Sequence, residues 1–368
     1  MKTKAAVLWG LNQKWDVDEV DLDGPKYGEV MVRLAASGLC HSDHHLVTGD
    51  IPRPLPVVGG HEGAGTVVEI GPGVTGLAEG DSVVFSFLPA CGRCRPCARG
   101  MSNLCELGAY LMLGPQIDGT YRFHARGHDI GQNCVLGSFS EYTTVPEASV
   151  IKLDDGTPLD KAALVGCGVT TGYGSAVRTG ETRDGDTVVV MGVGGVGINA
   201  VQGARIAGAR NIVALDPVEY KRNRAREFGA THVAASVGEA VPLVTDLTLG
   251  RMAEVCVVTV DVAESAHVGQ ALSLVGKRGK VVMTAVPHPT DATVDLSLMD
   301  MTFYEKQVRG SLFGSSNPRD DIFRLLGLYE SGQLKLDELI TREYALEDIN
   351  EAYQDTLSGL NLRGLIRF

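Results

Sequence analysis

Four cysteines crowd into one short stretch: Cys91, Cys94, Cys97 and Cys105, spaced C-x2-C-x2-C-x7-C. Zinc favours four soft ligands in a tetrahedron, and thiolates at these intervals can wrap one ion within a small lobe. Gly92, Pro96 and Gly100 supply the turns that such wrapping needs. A closed shell of four thiolates leaves no open position, so a zinc held here is structural. An iron–sulfur cluster or loose redox thiols are the alternative, although the last interval departs from the common bacterial cluster run.

A second group is dispersed. Cys40-His41-Ser42-Asp43-His44-His45 is dense in metal-binding and proton-handling side chains, and His61-Glu62 follows within a glycine-rich stretch, 59–65. Cys167 stands between Gly166 and Gly168. Two thiolates and one imidazole, Cys40, Cys167 and His61, leave a fourth position for water or substrate, which suits a catalytic zinc. Asp43 is a candidate acceptor behind the ligating histidine, and Glu62 an outer or transient ligand. Taken singly, each has a plainer reading: a lone cysteine is usually core, and a histidine beside a glutamate is usually surface. Residue chemistry leaves the two readings open.

The third feature is Gly192-Val193-Gly194-Gly195-Val196-Gly197, which follows an apolar strand and opens a helical pattern. A G-x-G-x-x-G turn in this context brings backbone close to a pyrophosphate at a helix N-terminus. Asp216 lies nineteen residues beyond Gly197, at the end of the next strand. An acid there accepts from ribose hydroxyls and disfavours a 2′-phosphate. A glycine turn made only for helix packing would not explain Asp216. Lys221 could neutralise phosphate or cap the ribose, though an isolated helical lysine is usually just solvated.

The elements that must hold these groups change style along the chain. The first 160 or so residues read as short strands, such as 30–34 and 65–70, broken by Gly71-Pro72-Gly73 and Glu79-Gly80-Asp81. From about residue 165, apolar strands at 187–191, 211–215 and 280–284 alternate with helical patterns, one of them over 218–228. That alternation means a parallel sheet covered on both faces. The chain of 368 residues is long for one domain and natural for two. A net charge of −12 argues against nucleic acid or an anionic membrane as partner. No apolar run reaches membrane-spanning length, the start is too short in apolar residues for a signal peptide, and a cytoplasmic location is expected. Disulfides are unlikely company for eight cysteines in such a protein.

Together these residues resemble the zinc-containing medium-chain alcohol dehydrogenase family. The resemblance rests on Gly38-Leu39-Cys40-His41-Ser42-Asp43, Gly60-His61-Glu62-Gly63-Ala64-Gly65, the four-cysteine lobe, Gly166-Cys167-Gly168 and the glycine turn, and it covers essentially the whole chain. Within the family the chain looks most similar to the nicotinoprotein, or N,N-dimethyl-4-nitrosoaniline-dependent, alcohol dehydrogenases of actinobacteria. That closer likeness is carried by the stretches 1–8, 194–205, 216–219 and 310–315.

The resemblance implies a GroES-like β-barrel catalytic domain, residues 1–168 and 312–368, carrying two zinc sites. It also implies an inserted Rossmann domain, residues 169–311, with a doubly wound parallel sheet that binds NAD(H). Cys40, His61 and Cys167 become catalytic-zinc ligands, and Cys91, Cys94, Cys97 and Cys105 the structural set. Ser42 matches the hydroxyl that bonds the substrate oxygen, and His45 the far, near-surface end of a proton relay. His41 and Arg363 match residues that hold the cofactor pyrophosphate. Val196 and Thr171 fall near the nicotinamide, and Thr284, Val286 and Phe313 where backbone groups hold its carboxamide. The implied reaction is hydride exchange between NAD(H) and a small alcohol or aldehyde. In the nicotinoprotein branch the cofactor stays bound and is recycled by a second substrate or an external electron acceptor. Other readings are a freely exchanging NAD-dependent alcohol or thiol-adduct formaldehyde dehydrogenase, and a non-catalytic NAD(H) and zinc redox sensor. A homo-oligomer, dimer or tetramer, is expected; the long stretch between Cys105 and Phe139, with Asp118-Gly119-Thr120-Tyr121-Arg122-Phe123, leaves its size open.

Overall fold

A computed structural model describes residues 1–287 and 293–368 of the chain. Two compact units emerge. The first comprises Met1–Cys167, Asn317–Glu330 and Leu336–Phe368, the second Gly168–Ser316 and Ser331–Lys335.

The first unit is built from two sheets. One closes into a small barrel from the strands Lys2–Leu8, Asp16–Leu22, Phe123–Ala125, His128–Gln132 and Val57–Val58. Its interior takes Ala5, Val7, Val20, Leu22, Phe123 and Ile130, all nearly inaccessible. Along the first strand Ala5 and Val7 join this interior while Ala6 and Leu8 enter a second core, so exposed and buried residues alternate only at its start. The other sheet is centred on Glu29–Gly38, which pairs with Gly63–Ile70, with Tyr142–Pro146 along its first half and with Arg363–Arg367 along its last residues. Ile340–Ala345 adds in parallel to Arg363–Arg367, so the chain's end is an internal strand of the sheet.

The second unit carries a six-stranded parallel sheet. Its order is His232–Ala234, Asn211–Leu215, Thr187–Met191, Ala253–Val258, Val275–Met283, Gln307–Gly310. The strand order reverses at Thr187–Met191, the first strand in sequence, as in doubly wound dinucleotide folds. All five residues of that strand are buried, which is why it reads as a nearly continuous apolar run rather than an alternating one. The expected strands at 187–191 and 211–215 form with those bounds, and the helix expected over 218–228 forms as Glu219–Glu227. The strand expected at 280–284 is the end of a longer one, Val275–Met283, which stops one residue earlier.

The return to the first unit falls after Ser316 rather than at residue 312. Residues 311–315 stay with the second unit because the Ser311 N–H donates to the Met283 carbonyl at 2.9 Å and Ser315 shares a 2.8 Å hydrogen bond with Thr179. Ser331–Lys335 also belongs there: Lys335 and Gln202 exchange two hydrogen bonds, 2.8 and 3.1 Å. Among the described residues no helix is long and apolar enough to cross a membrane.

Candidate functional site

In the first unit, Cys40 is the N-cap of the helix His41–Thr48, which Gly49 ends in a left-handed conformation. This helix buries Asp43, His45 and Leu46. His61 is presented by the turn through Gly60, whose φ is +84° and where a Cβ would press on Phe139 at 2.6 Å, so only glycine fits. Cys167 sits in a π-turn, Val165–Val169, an irregularity that recurs at functional sites. These three elements bring ligand atoms of Cys40, His61, Glu62 and Cys167 within 4.8 Å of one another, all four residues buried.

Two thiols, an imidazole and a carboxylate gathered in the interior are costly unless they share protons or a cation. Cys40 accepts a hydrogen bond from Cys167 and, with His61 and Arg363 close by, its thiol is held well below its ordinary pKa despite burial. Cys167, donating that bond and itself buried, is pushed well above. Burial disfavours a charged His61, but Asp43 and Cys40 outweigh it and raise the imidazole well above its usual value. The donor set suits a borderline-soft divalent cation: deprotonated thiols and a neutral imidazole are what zinc requires.

Asp43 lies behind His61, its Oδ2 3.0 Å from Nδ1, although neither atom has a well-aligned hydrogen bond. That contact leaves Nε2 for a metal. Glu62 is fully buried and its carboxylate accepts from the Arg363 guanidinium, itself only 4% exposed. Arg363 thus appears as the partner of Glu62, a pairing across 301 residues that no local spacing announces. His45 is buried, not near the surface as expected; its Nδ1 lies 3.2 Å from Asp50 Oδ2, and Asp50 is the more exposed of the two. Asp50 was not singled out from the sequence, where it is an isolated acid just past the helix end. Ser42 and His41 are half-buried on the same helix.

The four-cysteine lobe closes as its spacing suggests. Cys94 Sγ and Cys105 Sγ are 3.8 Å apart, Cys91 Sγ and Cys97 Sγ 4.0 Å. A tetrahedron with metal–sulfur bonds of about 2.3 Å has edges of about 3.8 Å. Backbone N–H groups of Glu106 and Cys97 lower the Cys94 thiol to about 6, whereas burial lifts Cys105 to about 12.

In the second unit, the glycine turn joins Thr187–Met191 to the helix Gly197–Ile206. A Cβ at Gly197 would lie 1.8 Å from the Gly192 carbonyl, so helix and turn approach as closely as glycine permits. Asp216, 4% exposed, accepts from the Val193 N–H at 2.9 Å and the Val218 N–H at 2.8 Å, tying the glycine turn to the next strand's end. Each carboxylate oxygen keeps a lone pair for a hydroxyl donor. Arg222, which sequence reading passed over, donates to the Asp216 and Pro217 carbonyls at 2.7 and 2.8 Å; Lys221 is half-buried on the same helix. Gly194, Gly195 and Val196 lie in the turn itself. Thr284 shares a 2.9 Å hydrogen bond with Ser175, and its N–H donates to the Val258 carbonyl at 3.1 Å. Val286 pairs with Val262 in a two-residue strand, Phe313 is buried, and the buried Thr171 hydroxyl has no hydrogen-bond partner.

Comparison with known proteins agrees with both halves of this picture. Residues 26–155 match the alcohol dehydrogenase GroES-like domain, and residues 195–331 the zinc-binding dehydrogenase domain. The NDMA-dependent alcohol dehydrogenase of Amycolatopsis methanolica is 52% identical over 366 residues, spanning 100% of this chain and 99% of the relative. Among solved structures, an alcohol dehydrogenase zinc-binding domain protein from Burkholderia ambifaria superposes with a TM-score of 0.94 at 32% identity, covering 100% of this chain and 99% of the other. Benzyl alcohol dehydrogenase from Acinetobacter calcoaceticus gives 0.93 at 28% identity with the same coverage. With a barrel-bearing unit, a dinucleotide-type parallel sheet and full-length kinship of this order, the chain belongs to the zinc-containing medium-chain alcohol dehydrogenases, enzymes that interconvert alcohols and aldehydes.

Proposed function

We propose that this alcohol dehydrogenase holds two zinc ions, one at Cys40, His61 and Cys167 and one at Cys91, Cys94, Cys97 and Cys105, and works with a tightly bound NAD(H) that does not leave between turnovers. The observation that carries the reading is the buried Cys40–His61–Cys167 cluster with Asp43 behind its imidazole. When bound there, zinc supplies Lewis acidity that favours the alkoxide, and NAD supplies the hydride acceptor. The chain's own residues do the rest. Ser42 accepts the alcohol proton, and His45, backed by Asp50, serves as the far end of the proton path. Gly192, Gly194, Gly195, Val196 and Gly197 admit the pyrophosphate, and Asp216 accepts from the adenosine ribose. Glu62 holds Arg363 close to the metal cluster.

Cofactor retention is supported by the NDMA-dependent relative, whose name denotes an artificial electron acceptor. Retention makes the reaction two half-reactions: one substrate reduces the bound NAD, and a second substrate or external acceptor reoxidises it. Denaturing freshly purified enzyme should therefore release close to one NAD(H) per chain, and initial rates with alcohol and nitrosoaniline dye should follow ping-pong kinetics. Protein that purifies empty and oxidises alcohol only with added NAD would refute retention and favour a freely exchanging dehydrogenase.

A further inference from the structure

We propose that Asn133 is a positioning residue of the metal centre, acting through Asp43 on His61. The inference rests on the reading that Cys40, His61 and Cys167 hold zinc. Asp43 is fully buried, and its two oxygens are used differently. Oδ2 faces His61 Nδ1 at 3.0 Å. Oδ1 accepts two neutral donors, the Gly60 N–H at 2.8 Å and the Asn133 side-chain amide at 2.7 Å. An ionised carboxylate only accepts, so the Asn133 amide must present its NH2 group to Asp43. Its oxygen faces the other way, where it accepts from the Cys134 thiol at 3.5 Å.

The backbone that delivers Asn133 is unusual. Cys134 and Val135 both have φ of +55°, two consecutive left-handed residues without a glycine. For a β-branched residue this is a true outlier, and such conformations persist only where the surroundings over-determine them. Here the Asn133 carbonyl accepts from both Leu136 and Gly137, at 2.9 and 3.1 Å, which fixes the turn. Asn133 itself is 2% exposed. The strained turn thus aims one neutral donor at one carboxylate oxygen, 90 residues away in sequence.

The physical effect follows. With Oδ1 clamped from two sides, Asp43 cannot rotate, so Oδ2 stays on Nδ1 and Nε2 stays turned to the thiols. Both donors are neutral, so neither places a competing cation beside the carboxylate. Groups that orient a ligating histidine in this way typically change metal affinity about 10–100-fold when removed.

The test is zinc release from the purified holoenzyme into a chromogenic chelator, for wild type, Asn133→Ser and Asn133→Asp. Serine is too short to reach Asp43; aspartate keeps the shape but replaces the donor with a like charge. Wild type should release two zinc ions in two kinetic phases. Asn133→Ser should speed one phase about 10-fold and Asn133→Asp up to about 100-fold, with the four-cysteine phase unchanged in both. At equal cobalt occupancy, the visible ligand-field spectrum of the replaced site should shift in Asn133→Ser, a change that general destabilisation would not produce. Wild-type release rates and spectra in both variants would overturn the proposal, as would equal acceleration of both phases. A wild-type enzyme that carries a single zinc overturns the metal assignment itself, and is seen before any variant is made.

Discussion

At the scale of single residues, one short helix, His41–Thr48, carries both the Ser42 hydroxyl and the buried Asp43 that backs His61. Ser42 stands between His41 and Asp43, and only Asp43 of the three is fully buried. Asp43 is committed to His61, Gly60 and Asn133, so it is not available to take a substrate proton. Ser42 is the proton acceptor proposed on that turn. Ser42→Ala should lower turnover by about 10²-fold or more, the usual worth of a positioned proton-transfer group. Zinc should stay near two per chain and released NAD(H) near one, because Ser42 is not among the residues proposed to hold either. Metal analysis beside steady-state kinetics would check this; turnover like the wild type would remove Ser42 from the proton path.

At the scale of elements, the stretch between the four-cysteine lobe and the strand Tyr142–Pro146 is held by a buried ion network. Arg122 is inaccessible and donates to Glu29 through Nε at 2.8 Å and Nη2 at 2.6 Å, and to Asp118 at 2.9 Å. Removing one partner of such a set leaves an uncompensated buried charge, so Arg122→Ala should cost about 3–5 kcal/mol of stability, read by chemical denaturation. Burial works against an ionised Asp118, but the Thr120 N–H and hydroxyl and the Arg122 guanidinium outweigh it and hold the carboxyl at about 2. A depressed pKa contributes stability above the ordinary carboxylate range, and the contribution is lost as pH falls from about 4 through about 2. Acid unfolding in that window should therefore be shallower in Asp118→Asn than in wild type. This network also marks where sequence reading stops. The strands 187–191 and 211–215 were legible because a strand buried on both faces must be apolar throughout. The cysteine lobe was legible because its ligands are neighbours in the chain. Arg122 to Glu29, Asn133 to Asp43 and Arg363 to Glu62 join residues 93, 90 and 301 positions apart, and nothing local at either end encodes the other. The near-surface placement of His45 came from the resemblance, which carries over a role but not the local packing that buries the ring here.

At the scale of the whole molecule, the last residues of the chain complete its first unit. Arg363–Arg367 lies between Glu29–Gly38 and Ile340–Ala345, with its first four residues buried. Ending the chain at residue 361 would remove hydrogen-bonding partners from both neighbours and expose two strand edges. It would also withdraw Leu365 and Ile366 from the core, about 1.5–3 kcal/mol each. Glu62 would be left buried without Arg363, a loss of about 3–5 kcal/mol. Together these approach the whole stability of an ordinary domain, about 5–15 kcal/mol. The second unit draws no strand from this segment; its sheet is made within Gly168–Ser316. The truncated protein should therefore lose the zinc proposed at Cys40, His61 and Cys167 and all alcohol oxidation, and its first unit should become sensitive to protease. It should still bind NADH through the glycine turn and Asp216, seen as enhanced nicotinamide fluorescence. Limited proteolysis with mass spectrometry would locate the damage. A truncated chain that kept its alcohol oxidation would show that the final strand is dispensable, whereas loss of NADH binding together with zinc would show that the two units fold as one cooperative body.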